Sequence, residues 1–282
     1  LRAYDAAADE RKVAAIENQL DQLKNERDTR TTSGGVVASD PGKVSGDSRA
    51  HMPEHTWAFD DGVTDVFEDM LERSIPSYTT MRDLVRTLGK RFVQPDTAIV
   101  DLGCSNGLAL EPFTRIYGAH NRYIGVEISE PMAAAAAARF ASWPSGQVRI
   151  YQDDLRTFYP KGLQTSLTLA VLTLMFVPVN YRNMILRNAY TSTVPGGALI
   201  VVEKLLGDYP ETDELFVDAY HAMKLANGYS LEAIERKRLA LEGVQVPITD
   251  AANMLALDHA GFDVVECFWK HLNFAGYIAI KR

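Results

Sequence analysis

The stretch Thr97-Ala98-Ile99-Val100-Asp101-Leu102-Gly103-Cys104-Ser105-Asn106-Gly107 decides the fold. Thr97–Leu102 is a short apolar, β-branched run, which reads as a buried strand. It passes straight into a glycine-bearing turn, and a helix is expected to follow over Glu111–Tyr117. Glycines in such a turn admit positive φ and let the backbone approach a ligand closely. Tight strand–turn–helix junctions recur in nucleotide-binding α/β folds. This one is neither G-x-G-x-x-G nor G-x-x-x-x-G-K-[ST], because no lysine follows Gly107. A pyrophosphate cofactor or ATP is therefore disfavoured. Asp101, near the strand end, suits a cationic group such as an amino-acid ammonium. A purely structural turn is the competing reading.

Outward from this junction the chain alternates strand and helix patterns. Strands are expected at Arg122–Ile128, Gln147–Gln152, Thr168–Phe176, Gly197–Lys204, Asp263–Trp269 and Ala275–Lys281. Helices are expected at Pro131–Phe140, Tyr181–Ser192, Thr212–Ala226, Ser230–Leu241 and Asp250–Ala260. Such alternation predicts an α/β fold: a Rossmann-like, mostly parallel sheet with helices on both faces. The last two strands are too close in sequence for a crossover, so the sheet is expected to finish in an antiparallel strand.

The segment before Trp57 differs in kind. Residues 1–28 lack Gly and Pro, and Val13, Ile16, Leu20 and Leu23 keep an a/d rhythm over about two heptads. This predicts a helical extension, either a short oligomerising coiled coil or a helix packed on its own domain. Residues 29–56 read as a flexible linker, with Ser33-Gly34-Gly35, Asp40-Pro41-Gly42 and Ser45-Gly46-Asp47. Met52 is an alternative starting point for the native chain. The remaining 57–282 is expected to form one domain.

Composition narrows the class. With 29 Lys plus Arg against 37 Asp plus Glu, the net charge of −8 argues against a broad grip on nucleic acid. No apolar run reaches the ~18 residues of a membrane span, and no basic flank with an apolar core marks a signal peptide. The two cysteines, Cys104 and Cys267, fit neither a zinc spacing nor a disulfide framework. A cytoplasmic location, no metal and a small-molecule substrate are expected.

Three successive strands finish beside carboxylates: Asp101, Glu127 and Asp153-Asp154. The carboxyl edge of an open α/β sheet is where ligands bind. Glu127 suits both hydroxyls of a ribose. Asp154 suits an adenine amino group, with Leu155 against the ring. Each carboxylate alone reads as a solvated loop or capping residue; the three in register read as a site.

This order of motifs, DLGCSNG (101–107), VEIS (126–129), DDL (153–155) and VPGGALIVVEK (194–204), resembles the class I S-adenosylmethionine (SAM)-dependent methyltransferases. Segments outside the motifs resemble one family more narrowly. WAFDDGVTDVFEDMLERSIPSYTTM (57–81), RFVQP (91–95), KLANGYS (224–230), ERKRLALEGV (235–244) and LNF (272–274) are similar to the carboxy-SAM synthases, which turn SAM and prephenate into carboxy-SAM. The resemblance implies SAM, carboxy-SAM or S-adenosylhomocysteine as the bound nucleotide and a homodimer or higher homo-oligomer. It implies a cofactor contact at Tyr78 and glycine-loop contacts at Gly103, Cys104 and Ser105, beside Asp101 and Gly107. It implies a ribose acid at Glu127, an adenine edge at Asp154 and Leu155, and a carboxylate-holding arginine at Arg238. Catalysis is thus expected of Arg238 and Tyr78.

Two cofactor positions depart from the family: Ile128 and Val171 stand where the synthases have asparagine. Arg238 also sits within Arg236-Lys237-Arg238, which by composition reads as a solvated basic face. His221, Tyr220 and Tyr229 are acid–base candidates for ordinary methylation, with structural roles as the plainer reading. Glu203-Lys204 is expected at the cleft edge or as a local ion pair. Three functions follow: a synthase, an ordinary small-molecule methyltransferase on the same scaffold, or a non-catalytic SAM-binding assembly module.

Overall fold

A computed structural model describes residues 57–144 and 146–282. The helix and linker read over 1–56 lie outside the described residues. In chain order the elements are α1 (Asp61–Ser74), α2 (Tyr78–Gly89), β1 (Ala98–Leu102), α3 (Glu111–Tyr117), β2 (Arg122–Glu127), α4 (Glu130–Arg139), β3 (Val148–Gln152), β4 (Thr165–Val171), α5 (Val179–Ser192), β5 (Thr193–Lys204), α6 (Pro210–Ala226), α7 (Leu231–Leu241), α8 (Asp250–Ala260), β6 (Val264–His271) and β7 (Phe274–Ile280). The sheet runs β3-β2-β1-β4-β5-β7-β6. The first five strands are parallel, and β7 is antiparallel to both neighbours. The expected antiparallel closing strand is thus inserted between β5 and β6.

Period-two alternation sorts the two cores. Val100 and Leu102 of β1, with Leu199 and Val201 of β5, face Ile185 and Ala189 of α5 and Leu257 of α8. Ile99, Leu169, Ile200 and Val202 face the other way, onto Met81 and Val85 of α2 and Phe113 of α3. A third cluster seats α1 over the sheet edge: Val63, Phe67 and Met70 pack with Trp57, Met132 of α4 and Ala240 of α7. Side-chain caps start the helices. Asp60 accepts from the Val63 amide at 2.9 Å, and Ser129, Ser230 and Thr249 cap α4, α7 and α8 in the same way.

The structure corrects the sequence reading in two places. The strand expected over Thr168–Phe176 spans Thr165–Val171 and then breaks. Leu172 takes φ +60°, and a 3₁₀ turn covers Leu174–Phe176. An apolar run does not distinguish strand from buried turn, and here the break lets Thr173 reach back to the Leu102 carbonyl at 2.8 Å. The helices α1 and α2, joined by the Ile75-Pro76-Ser77 turn, were not read as elements. Among the described residues no helix is long and apolar enough to cross a membrane.

Candidate active site

The carboxyl ends of β1, β2, β4 and β5 open into a cleft with two lobes. One, of about 330 Å³, is lined by the glycine loop, Tyr78 and the inner faces of α1, α6 and α7. The other, of about 470 Å³, lies over the ends of β2 and β3. Phe59, Gly103, Ser105, Leu172 and Phe176 line both, so the lobes meet over the glycine loop.

The loop is held by backbone bonds. Gly103 and Cys104 donate to the Val126 carbonyl at 2.8 and 3.1 Å. Gly103 has φ +68° and Gly107 φ +86°. The Cys104 thiol packs over Gly125, where a Cβ would lie 2.6 Å from its sulfur. Burial first, then the Asp101 and Glu127 charges, push that thiol well above its ordinary pKa, so it is a packing group rather than a nucleophile.

Asp101 is almost wholly buried, and its Oδ2 has no hydrogen-bond partner among the described residues. Burial chiefly, with a smaller push from Glu127, lifts its pKa to about 7 against the pull of Arg82. A buried carboxylate oxygen without a donor is matched by a cationic or hydrogen-bond-donating group. Glu127 accepts from the Ser105 amide through Oε2 at 2.8 Å and from the Ser129 amide through Oε1 at 2.9 Å. Burial still raises its pKa over those bonds. Glu127 lines the second lobe. Asp101 thus offers a carboxylate oxygen without a donor among the described residues beside the loop, whereas Glu127 is held by backbone amides at the second lobe.

The other expected residues fall around the same cleft in different states. Ile128 is exposed on the rim of the second lobe, with Leu155 on its wall. Asp154 is also there, but Arg156 donates to it from its amide at 2.8 Å and from Nε at 2.7 Å. Those bonds hold the carboxyl below its ordinary range. Tyr78 and Val171 line the first lobe. The Arg82 guanidinium stacks 5.9 Å from the Tyr78 ring centre, and burial raises the phenol pKa. Arg238 lines the first lobe too, with its guanidinium forked onto Glu235 at 2.9 and 2.7 Å.

Several residues emerge only in three dimensions. Arg139 bonds the Asn106 carbonyl at 2.7 Å, Glu111 at 2.9 Å and Glu68 at 2.8 Å, tying α1 and α3 to the glycine loop. Lys237 is not on a solvated face: it is buried between Ile234 and Ala240. Its spacing of three from Ile234 placed it on the apolar stripe and was the available signal. Lys224 is buried as well, one turn beyond Tyr220. Glu203 and Lys204 are not a local pair. Glu203 turns inward to the Leu174 amide at 2.9 Å, whereas Lys204 faces the first lobe and the Tyr220 ring. His221 lines that lobe, its pKa lowered to about 4 by burial and by Lys224 and Lys204, so it is neutral at pH 7. Tyr229 is bonded to Ser74 at 3.0 Å. No cluster of three His, Cys, Asp or Glu able to hold a metal occurs among the described residues.

Sheet order and a ligand cleft at its carboxyl edge define a class I methyltransferase fold. A family model described as a methyltransferase domain matches residues 99–197. Solved structures agree on the fold: an O-methyltransferase family protein from Burkholderia thailandensis superposes with a TM-score of 0.56 at 19% identity, covering 79% of this chain and 60% of that one. Human N-acetylserotonin methyltransferase, solved in complex with SAM, gives 0.51 at 16% identity, over 78% of this chain and 55% of the human chain. The sequence relatives are more specific. Carboxy-S-adenosyl-L-methionine synthase of Methylococcus capsulatus is 36% identical over 230 residues, 80% of this chain and 93% of that protein. The Actinobacillus succinogenes synthase is 35% identical with the same coverage, and the Staphylococcus epidermidis synthase is 31% identical over 97% of its length. The chain belongs to the carboxy-S-adenosyl-L-methionine synthase family.

Proposed function

We propose that this protein converts SAM and prephenate into carboxy-SAM. The observation that carries the reading is convergence: Tyr78 from α2 and Arg238 from α7 line the same lobe as the glycine loop and Asp101. The sulfonium of bound SAM supplies an acidified methyl group. Prephenate loses its ring carboxyl as carbon dioxide and its ring hydroxyl as hydroxide to become phenylpyruvate. The hydroxide leaves as water with the methyl proton, and the methyl carbon takes up the carbon dioxide. The chain's own residues place and shield that methyl group. Asp101 holds the ammonium, Glu127 the ribose hydroxyls, and Asp154 with Leu155 the adenine edge. Gly103, Cys104, Ser105 and Gly107 bring backbone against the nucleotide. Tyr78, with Phe59, Met70 and Phe176, excludes water from the reacting carbon. Arg238 receives the new carboxylate by exchanging it for Glu235, one carboxylate for another in the same fork geometry.

The departure at Ile128 is compatible with this. Ile128 is 58% exposed, so a ribose hydroxyl beside it keeps water as a partner. The apolar residues Ile128 and Val171, and the Glu235 fork already on Arg238, favour ordinary methylation of a small acceptor as the second reading. Incubation with SAM, with and without prephenate, separates the two by mass spectrometry. The expected product is SAM heavier by one carboxylate, formed only with prephenate. Its absence, with unchanged SAM recovered, sinks the synthase reading, and any turnover sinks the non-catalytic one. Arg238→Ala is expected to lower kcat/KM about 10–100-fold, the loss of a charge-assisted bond to the carboxylate. Steady-state kinetics on the variant, with its melting temperature shown equal to that of wild type, checks it.

A domain spanning 57–282, a homodimer and a cytoplasmic location complete the proposal. The exposed apolar side chains Leu215 on α6 and Leu239 on α7 support self-association, and the two free thiols support a reducing compartment. Light scattering of the purified protein tests the dimer.

A further inference from the structure

We infer that Lys224 and Lys237, backed by Lys204, form a second anion subsite in the first lobe, distinct from the Arg238 fork, that takes a carboxylate of a dicarboxylate co-substrate. The inference rests on the synthase reading and names the residues that would select its acceptor.

All three lysines line one lobe. Lys224 and Lys237 are only 4% and 8% exposed. Among the described residues none of the three has a carboxylate within ion-pair distance. Aromatic rings stand where acids would. The Lys237 ammonium lies 4.7 Å from the Trp57 ring centre, and Lys224 lies 5.5 Å from Tyr220 and 5.0 Å from Tyr229. Lys204 sits 5.1 Å from the same Tyr220 ring. A ring face attracts a cation but does not neutralise it. The Trp57 indole N–H, in the same wall, is buried without a partner among the described residues. The lobe thus gathers buried donors with no acceptor supplied by the described fold.

Burial lowers the Lys224 pKa to about 8, with Lys204 adding to the effect, and carries Lys237 well below its ordinary value. Buried, unpaired cations destabilise a fold, and an apolar residue of similar size would serve α7 better. A bound carboxylate removes the penalty and raises both pKa values. The other charged and titratable groups around the cluster are Arg73, Arg238 and the neutral His221, with the acids Asp213 beside Lys204, Glu235 on the Arg238 fork, and Asp101 and Glu242 on the lobe wall. The charges that act on Lys224 and Lys237 themselves are all cationic, from Lys204, Arg73 and each other, so positive charge prevails at this pair.

The test compares prephenate, with two carboxylates, with phenylpyruvate, which lacks the ring carboxylate. Each is titrated calorimetrically into wild-type protein, Lys224→Met and Lys237→Met, all loaded with S-adenosylhomocysteine. Wild type is expected to bind prephenate about tenfold or more tighter than phenylpyruvate. Either substitution is expected to bring prephenate down to the phenylpyruvate level and leave S-adenosylhomocysteine affinity unchanged. Lys237→Met is also expected to raise the melting temperature by about 2 °C or more, which loss of a merely structural residue would not do. Should Lys237→Met fold poorly, Lys224→Met alone decides the binding question. Equal wild-type affinity for the two acids, or a prephenate preference surviving in folded variants, overturns the subsite. Failure of the synthase reading is seen separately, as prephenate that binds but yields no carboxy-SAM by mass.

Discussion

Gly103→Ala is expected to lower the melting temperature by about 5–15 °C and weaken S-adenosylhomocysteine binding more than about 100-fold. Gly103 has φ +68°, where an L-residue is strained by about 1–2 kcal/mol. A Cβ would also collide with the Thr173 side chain, including its Oγ1 at 2.6 Å. Thr173 cannot retreat, because it is buried and its hydroxyl is bonded to the Leu102 carbonyl at 2.8 Å. Overpacking of this kind adds about 1–3 kcal/mol. A loop that shifts to relieve the clash pulls the Ser105 amide from Glu127, so binding falls with stability. Gly162→Ala is the control. It has φ +69° with nothing within 4 Å, so it isolates the backbone strain and should shift the melt by only a few degrees. Circular dichroism melts and calorimetry check both. A Gly103→Ala protein with wild-type melting and affinity would show the loop to be more tolerant than its packing implies.

The second large effect is in pH. Asp101 carries a folded-state pKa of about 7, raised by burial. The unfolded value is close to the ordinary one near 4. The free native state therefore holds this proton more tightly than the unfolded chain. Its stability relative to Asp101→Asn falls as pH rises from about 4 to 7 and is flat above. Binding of the SAM ammonium runs the opposite way, because only the ionised carboxylate pairs with it. Affinity for S-adenosylhomocysteine should rise roughly tenfold from pH 6 to pH 8, as the ionised fraction grows from about a tenth to about nine tenths. In Asp101→Asn this slope should vanish, and affinity at pH 8 should drop about 10–100-fold. Calorimetry at the two pH values is sufficient. A slope that persists in the asparagine variant would assign the pH dependence to another group.

The legible part of this protein was local and periodic. TAIVDLGCSNG announced its strand and turn because β-branched spacing and glycine φ are properties of neighbours in the chain. Asp101, Glu127 and Asp154 were legible as a set because parallel strands bring their carboxyl ends to one edge. The end of β4 was not, since the run through Leu174 and Phe176 is apolar whether it continues the sheet or folds back beneath Thr173. Arg238 was found through family resemblance, yet nothing in the sequence revealed that Glu235, one turn away, already occupies its fork.

The sequence by itself determined the sheet, the glycine loop and the acids that line its carboxyl edge, because each follows from short-range pattern and from strand direction. Only the tertiary structure decided which charges are buried. Arg236, Lys237 and Arg238 are adjacent and alike in composition, yet about 100° of rotation per helical residue sends Lys237 into the core and leaves its neighbours in solvent. Burial belongs to what packs against a helix, here Trp57 and α1, and those partners lie far away in sequence.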